Sequence, residues 1–436
     1  MGEKLVIEGG KKLQGRVAVS GSKNAALPLL AATLLAPEGK TVLKNVPTAL
    51  KDIQLQVAIL RDLGVNVEQR DASTLACKVE NEKSSCARYE LVSQMRASIC
   101  VLGPLLARRG YAKVSLPGGC VIGLRPVDLH VKGLRALGAE VELDHGYLVA
   151  RAPKGRLRGA RVFLGGSMGS SVLATANVLC AASLADGKTV IEGAACEPEI
   201  DDLGRLLNKM GATVEGIGTP QLTITGVPEL KGATTSVIPD RIEAGTFIVA
   251  AAMTGSDFKI ENVVMDHLGA MRDKLAECGV FIREEEEGVV QVVRDNPRPR
   301  AVHVTTLPYP GYPTDLQAQL VSLLAIADGI SVVTEKVFPD RFIHLAELNR
   351  MGADIHKEGT SAIVKGVPKL AGAPVMASDL RASAALVLAG LVAEGTTEIH
   401  RVYHIDRGYE KIEAKLRALG ASITRAEDKG GGASCE

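Results

Sequence analysis

The sequence predicts an α/β protein of six repeated β-α-β-α-β units, three to a domain, with the helices packed inside. Three observations predict it. A helix-ending glycine recurs six times at intervals of roughly 70 residues. Branched residues that start a strand follow each of these glycines within a few positions. An Ala/Leu-rich helix leading through a Gly-Lys-Thr or Gly-Thr-Thr type of turn into a strand recurs as well, in residues 29–46, 172–193, 247–264 and 384–402.

The helix ends occupy residues 60–65, 134–139, 207–212, 275–280, 348–353 and 416–421. Gly64, Gly138, Gly211, Gly279, Gly352 and Gly420 stand where a left-handed residue stops a helix. In each unit the first helix is apolar all round and the second more polar. The first should therefore be buried and the second should cover it. Three units end near residues 226–240, which is where the domain boundary is expected.

Composition narrows the function classes. The 436 residues are 46% apolar, enough for two or three domains with ample core. Aromatics are 3% and Trp is absent, which argues against base-stacking platforms for nucleic acid. A net charge of +1 supplies no broad field for DNA or a membrane surface, so any local basic cluster calls for a local anion. No apolar run reaches membrane-span length and residues 1–5 lack a signal-peptide core, so a cytoplasmic protein is expected. The eight cysteines show no CxxC pairing and no His at zinc-like spacing. Several sit in apolar runs and read as reduced core thiols; no metal site is expected.

Candidate functional residues interrupt this apolar pattern. Residues 116–126 (LPGGCVIGLRP) hold three glycines, a proline near each end, Cys120 near the tip and Arg125 five residues on. Such a segment reads as a loop that opens and closes, and an exposed thiol near cations ionises readily. Lys23 and Asn24 follow a Gly/Ser turn into an apolar helix, which suits a phosphate and equally suits an N-cap beside a solvated Lys. Arg96, Arg341, Arg381 with Asp379, the Asp240-Arg241-Ile242-Glu243 run and Arg407 each stand at an element boundary. Singly each reads as an ion pair; together they suggest a cleft of cations for carboxylate and phosphate groups. Asp315 follows Thr314 and reads either as a helix N-cap or as a base near a sugar hydroxyl; pattern does not decide. The glycine turn at residues 165–169 stands at a helix start. No Walker loop, HExxH, GxSxG or Rossmann fingerprint stands in a credible context.

Taken together, the stretches 20–28 (SGSKNAALP), 95–98 (MRAS), 116–129 with Gly118-Gly119-Cys120, 239–243 (PDRIE), 313–315 (PTD) and 404–409 (HIDRGY) resemble the enolpyruvyl transferases. The likeness runs from Val6 to about Thr424. It implies a two-domain inside-out α/β barrel whose N-terminal strand crosses into the C-terminal domain, with the active site between the domains. The domains implied are 21–237 and 1–20 plus 238–426, with 427–436 a flexible tail. The reaction implied is transfer of enolpyruvyl from phosphoenolpyruvate to the 3′-hydroxyl of UDP-N-acetylglucosamine, releasing phosphate without metal or cofactor, the first committed step of peptidoglycan synthesis.

The resemblance also implies roles. Cys120 is the lid thiol that protonates the enol carbon or holds a covalent adduct, and is alkylated by fosfomycin. Lys23, Arg125 and Arg407 face the phosphate and carboxylate of phosphoenolpyruvate, with Asn24 beside them, and Asp315 takes the hydroxyl proton. Arg96, Arg125, Pro126, Val127, Asp128, Leu129, Ser167, Met168, Gly169 and Val337 contact the nucleotide sugar. Arg341, Asp379 and Arg381 are further charged cleft residues. Three positions depart from the family: Gly165 stands where some members carry Lys, Met168 where they carry Val, and Cys196 where Arg is usual. Competing expectations are a nucleotide-sugar-binding paralogue without turnover and the sister transferase acting on shikimate 3-phosphate, which lacks the Gly-Gly-Cys lid.

Overall fold

The structure is a computed structural model that describes residues 2–116, 118, 127–153 and 155–428. Among the described residues the chain forms two compact units, one of residues 2–20 and 239–428, the other of residues 21–238. The chain passes between them at residues 20/21 and 238/239. Each unit has its own core. Leu5 to Ile423 supply the first and Ala25 to Val237 the second, with no residue shared.

All six repeat glycines have positive φ, between 77° and 110°. A side chain is strained in that conformation, so glycine ends each helix at low cost and the strand starts one or two residues later. The repeat is longer than the sequence pattern suggests. Among the described residues each unit contains three sheets, and every sheet has four strands rather than three. The added strand closes a hairpin on the one that follows the glycine, as Leu75–Val79 does on Val65–Gln69. The glycine marks only the first strand of that hairpin, so the repeat signal passes over the second.

Three sheets are completed by distant chain. Thr234–Ser236 runs parallel to Thr41–Lys44. Gly2–Glu8 inserts antiparallel between Thr396–His400 and Ser422–Asp428, and Gln14–Ala18 pairs in parallel with Asp257–Glu261. The N-terminal segment thus belongs to the unit formed by the C-terminal half. The last strand runs through Asp428, whose Oδ2 lies 2.7 Å from His400 Nδ1. Glu427 and Asp428, expected to begin a flexible tail, are ladder residues; residues 429–436 lie outside the described set.

The helices obey the predicted division. Arg241–Thr254, Gln317–Leu324 and Leu380–Val392 pack on one another inside the first unit, buried over nearly their whole length. Lys23–Ala32, Leu102–Arg109 and Val172–Ala182 take the same place in the second. Outer helices such as Lys51–Asp62 bury one stripe only. Burial pushes the Cys77, Cys100 and Cys278 thiols up to about 12, so these cysteines stay protonated inside the core. Among the described residues no helix is long and apolar enough to cross a membrane.

Candidate active site

In the first unit the polar residues gather at the N-terminal ends of the three inner helices. Asp240 caps Arg241–Thr254, its Oδ1 accepting from Ile242 N at 2.8 Å and Glu243 N at 3.1 Å. Asp379 caps Leu380–Val392 in the same way, through Arg381 N and Ala382 N. The third helix, Gln317–Leu324, has no side-chain cap. Asp315, in the 3-10 turn just before it, is turned to another use.

Asp315 is held between two guanidiniums. Oδ1 accepts from Arg341 Nη1 at 2.8 Å and Oδ2 from Arg381 Nη2 at 3.1 Å. The side chains of Arg341 and Arg381 are 6% and 3% exposed, while 26% of Asp315 remains open to solvent. Burial alone would raise the Asp315 pKa; the charges and hydrogen bonds of Arg381 and Arg341 outweigh it and hold the carboxyl well below its usual range. The N-cap reading of Thr314-Asp315 fails here. Thr314 Oγ1 donates to Glu335 Oε2 at 2.9 Å and accepts from Arg341 Nη1 at 3.1 Å.

Three residues that sequence reasoning passed over support this pair. Buried Glu335 accepts from Thr306 Oγ1 (2.6 Å), Val337 N (2.8 Å) and Phe338 N (2.9 Å), and so places Val337 and the turn leading to Arg341. Tyr409 lies under the Arg381 guanidinium, 5.5 Å from ring centroid to Cζ, and its hydroxyl meets Thr246 Oγ1 at 2.8 Å. His344 is buried and pushed down to about 4, first by burial, with Asp379 opposing and Arg341 adding to the shift. Glu335 carried no signal because it sits inside a strand, Ile330–Glu335, that reads as ordinary sheet. Arg407 ends the 3-10 turn Val402–Arg407. Burial lowers the pKa of His404 in that turn; Asp379 opposes the shift, while Arg407 and Arg401 add to it, so these charges share one neighbourhood.

The second unit has a different set. Ser22 caps Lys23–Ala32, accepting from Ala25 N at 3.2 Å. Lys23 is buried at the first helical position and pairs with Asp52 at 3.0 Å, the two side chains being 10% and 6% exposed. Half-buried Asn24 follows it. Arg96 opens the 3-10 turn Arg96–Val101 that runs into Leu102–Arg109. Its charge, after burial itself, helps push His130 down to about 3. His130 Nδ1 lies 2.9 Å from Asn177 Nδ2, and Asn177 also bonds Ile99 O and Gly103 N. As Asn177 Nδ2 is a donor, the neutral imidazole accepts at Nδ1 and carries its proton on Nε2. This clamp fixes the helix that bears Asp128 and Leu129 next to Arg96. An Asn inside the apolar helix Val172–Ala182 was its only trace in the sequence.

Gly166 and Gly169 exchange backbone hydrogen bonds at 2.8 and 3.1 Å, leaving Ser167 and Met168 at an exposed tip. A Cβ on Gly166 would lie 3.2 Å from Leu129 Cδ1, so this turn adjoins the 127–129 segment. At Gly165 a Cβ would lie 2.5 Å from Cζ of the exposed Phe163 ring, so a side chain there would displace that ring. The structure therefore groups Asp315, Val337, Arg341, Asp379, Arg381 and Arg407 in one unit. In the other, Arg96 acts on His130 in the helix that begins at Asp128, Leu129 packs against the Gly166–Gly169 turn that carries Ser167 and Met168, and Lys23 pairs with Asp52. Cys120, Arg125 and Pro126 lie outside the described residues.

The fold of two units, each of three helix-centred repeats, is shared with solved enolpyruvyl transferases. The solved enolpyruvyl transferase NikO from Streptomyces tendae superposes with a TM-score of 0.88 at 24% identity, over 98% of this chain and 99% of that one. An EPSP synthase from Acinetobacter baumannii superposes with a TM-score of 0.76 at 21% identity, over 98% and 100%. These likenesses speak for the fold. A family model for EPSP synthase (3-phosphoshikimate 1-carboxyvinyltransferase) matches residues 7–416, and the chain belongs to that family. Within it, proteins named UDP-N-acetylglucosamine 1-carboxyvinyltransferase are far more similar in sequence. That of Methylacidiphilum infernorum is 53% identical over 98% of this chain and 100% of its own. That of Anaeromyxobacter dehalogenans is 55% identical over 97% and 99%.

Proposed function

We infer that the protein transfers the enolpyruvyl group of phosphoenolpyruvate to the 3′-hydroxyl of UDP-N-acetylglucosamine and releases phosphate. The observation that carries this is end-to-end identity above one half with proteins bearing that name. It favours this reaction over a shikimate 3-phosphate acceptor, since the EPSP synthase structure shares 21%. The charged groups favour turnover over binding alone, because a carboxylate set between two guanidiniums is more than a nucleotide-sugar receptor needs. On this reading the enzyme is cytoplasmic, uses small-molecule substrates, and opens peptidoglycan synthesis.

Each group has a part. Lys23 at a helix N-terminus supplies a point charge, backed by the helix dipole, for the anion of phosphoenolpyruvate. Arg125 and Arg407 add forked donors, with Asn24 beside them. Arg96, Pro126, Val127, Asp128, Leu129, Ser167, Met168, Gly169 and Val337 bind the nucleotide sugar. Cys120 donates the proton to the enol carbon or holds the adduct, and fosfomycin alkylates it. Asp315 takes the hydroxyl proton. In the structure Asp315 is too acidic for that, being held by Arg341 and Arg381. An anionic substrate that draws one guanidinium onto itself weakens this hold and raises the basicity of the carboxylate. Substrate binding thereby activates the base.

A phosphate-release assay with the two substrates supplied singly and together tests the reading. Release is expected only with both present. Release with shikimate 3-phosphate in place of the nucleotide sugar, or binding of the nucleotide sugar with no release, overturns it.

A further inference from the structure

The chemistry above uses the N-terminal ends of the inner helices. In the first unit the other ends of the same helices surround a cavity of about 520 Å³, with Met253, Ile326 and Val392 in its wall. That volume is ordinary for a small-molecule site. Leu380–Val392 has 13 residues, so the cavity lies about 20 Å along the helix from the Asp379 cap.

Three cations line it, Arg294, Arg298 and Lys369, against one acid, Glu394. Lys369 and Glu394 pair with each other, both largely exposed. Arg298 serves the fold: its Nε donates to Ile326 O at 3.1 Å and its Nη2 to Ala327 O at 2.7 Å, satisfying carbonyls just past a helix end. Arg294 has no such employment. It is half-buried, and among the described residues its guanidinium meets no carboxylate or carbonyl acceptor. Nor is it needed as a helix cap, because Ala251 O already accepts from Gly255 N and Ser256 N. Room for it is built in. Gly255 has φ 60°, and a Cβ there would lie 2.0 Å from Arg294 Nη2.

Its donors reach solvent at the pocket wall, so the guanidinium is open to an incoming anion. We propose that this cavity binds a small phosphate-bearing molecule, its phosphate taken by Arg294 with Lys369 and its body resting on Pro297, Pro299 and Ile326. The site is separate from the residues assigned to transfer.

Calorimetry with inorganic pyrophosphate on the full chain tests this. Binding is expected to persist in Lys23→Ala, which disables the proposed catalytic anion site. It is expected to weaken at least tenfold in Arg294→Gln and about threefold in Lys369→Gln. Lys369 is exposed, so its variant folds normally, and thermal melting checks the fold of both. Phosphate release by Arg294→Gln should stay within twofold of the parent. Pyrophosphate binding that is unchanged in Arg294→Gln and Lys369→Gln, or that disappears with Lys23→Ala alone, overturns the proposal, whatever the transferase assay gives.

Discussion

The two units repeat one architecture with different chemistry at corresponding helix ends. In the first, two inner helices are capped by carboxylates, Asp240 and Asp379, and the charges nearby are tied to one another. In the second, two inner helices are capped by hydroxyls, Ser22 and Ser171. A carboxylate cap neutralises the positive end of a helix; a hydroxyl cap satisfies the N–H groups and leaves the end positive. On the proposed function, the second unit offers helix ends to an anion and the first presents a base. The fold supplies identical positions, and side-chain charge divides the labour.

The largest expected effect falls on the base. Asp315→Ala should cut phosphate release about 10³-fold, a typical loss for a positioned base. It should also cost about 3–5 kcal/mol of stability in denaturant unfolding, since Arg341 and Arg381 lose their shared partner in a buried setting. An Asp315→Ala enzyme with parental turnover removes the base from the first unit and collapses the contrast.

Next comes the anion site of the second unit. Lys23→Ala should raise the KM for phosphoenolpyruvate tenfold or more and leave the KM for the nucleotide sugar nearly unchanged, the range for losing one buried charge contact. Equal rises in both constants would move Lys23 from anion binding to general support.

Acid stability reaches both units. His130 at about 3 and His344 at about 4 are neutral when folded, while an unfolded His titrates near 6.5. Both folded values are depressed, so below pH 6.5 the unfolded chain takes up the extra protons. Stability should fall as pH drops from 6.5 towards 4. His130→Gln should flatten part of that slope in unfolding measured at pH 4.5, 5.5 and 6.5. An unchanged slope would show that burial and the Arg96 charge do not hold the ring neutral.

The smallest effect concerns the caps. Ser171→Ala should cost about 1 kcal/mol and Asp240→Ala nearer 2 kcal/mol in thermal or denaturant unfolding, the Asp240 value shrinking with added salt. Equal, salt-independent losses would mean that the two cap types differ only in name.

Much of this was legible in the chain. The glycine-ended helices, the apolar inner helices and the crossing near residue 238 follow from local backbone strain and from periodicity. Candidate charges were visible because Lys23, Arg381 and Asp379 interrupt apolar runs. Glu335, His344 and Asn177 were not, because their importance lies in what they touch. The second strand of each hairpin went unread because pairing is a property of two segments, and Leu75–Val79 finds its partner at Val65–Gln69.

By itself the sequence determined the repeat, the burial of one helix in each pair and the residue types available for catalysis. These depend on neighbours a few positions away, through turn geometry and hydrophobic periodicity. Tertiary structure alone decided which charges meet. The acidity of Asp315 is a sum over Arg341 and Arg381, 26 and 66 residues further along, in surroundings dry enough for Coulomb forces to outweigh desolvation. Electrostatic energy depends on distance in space, and only the folded chain sets that distance.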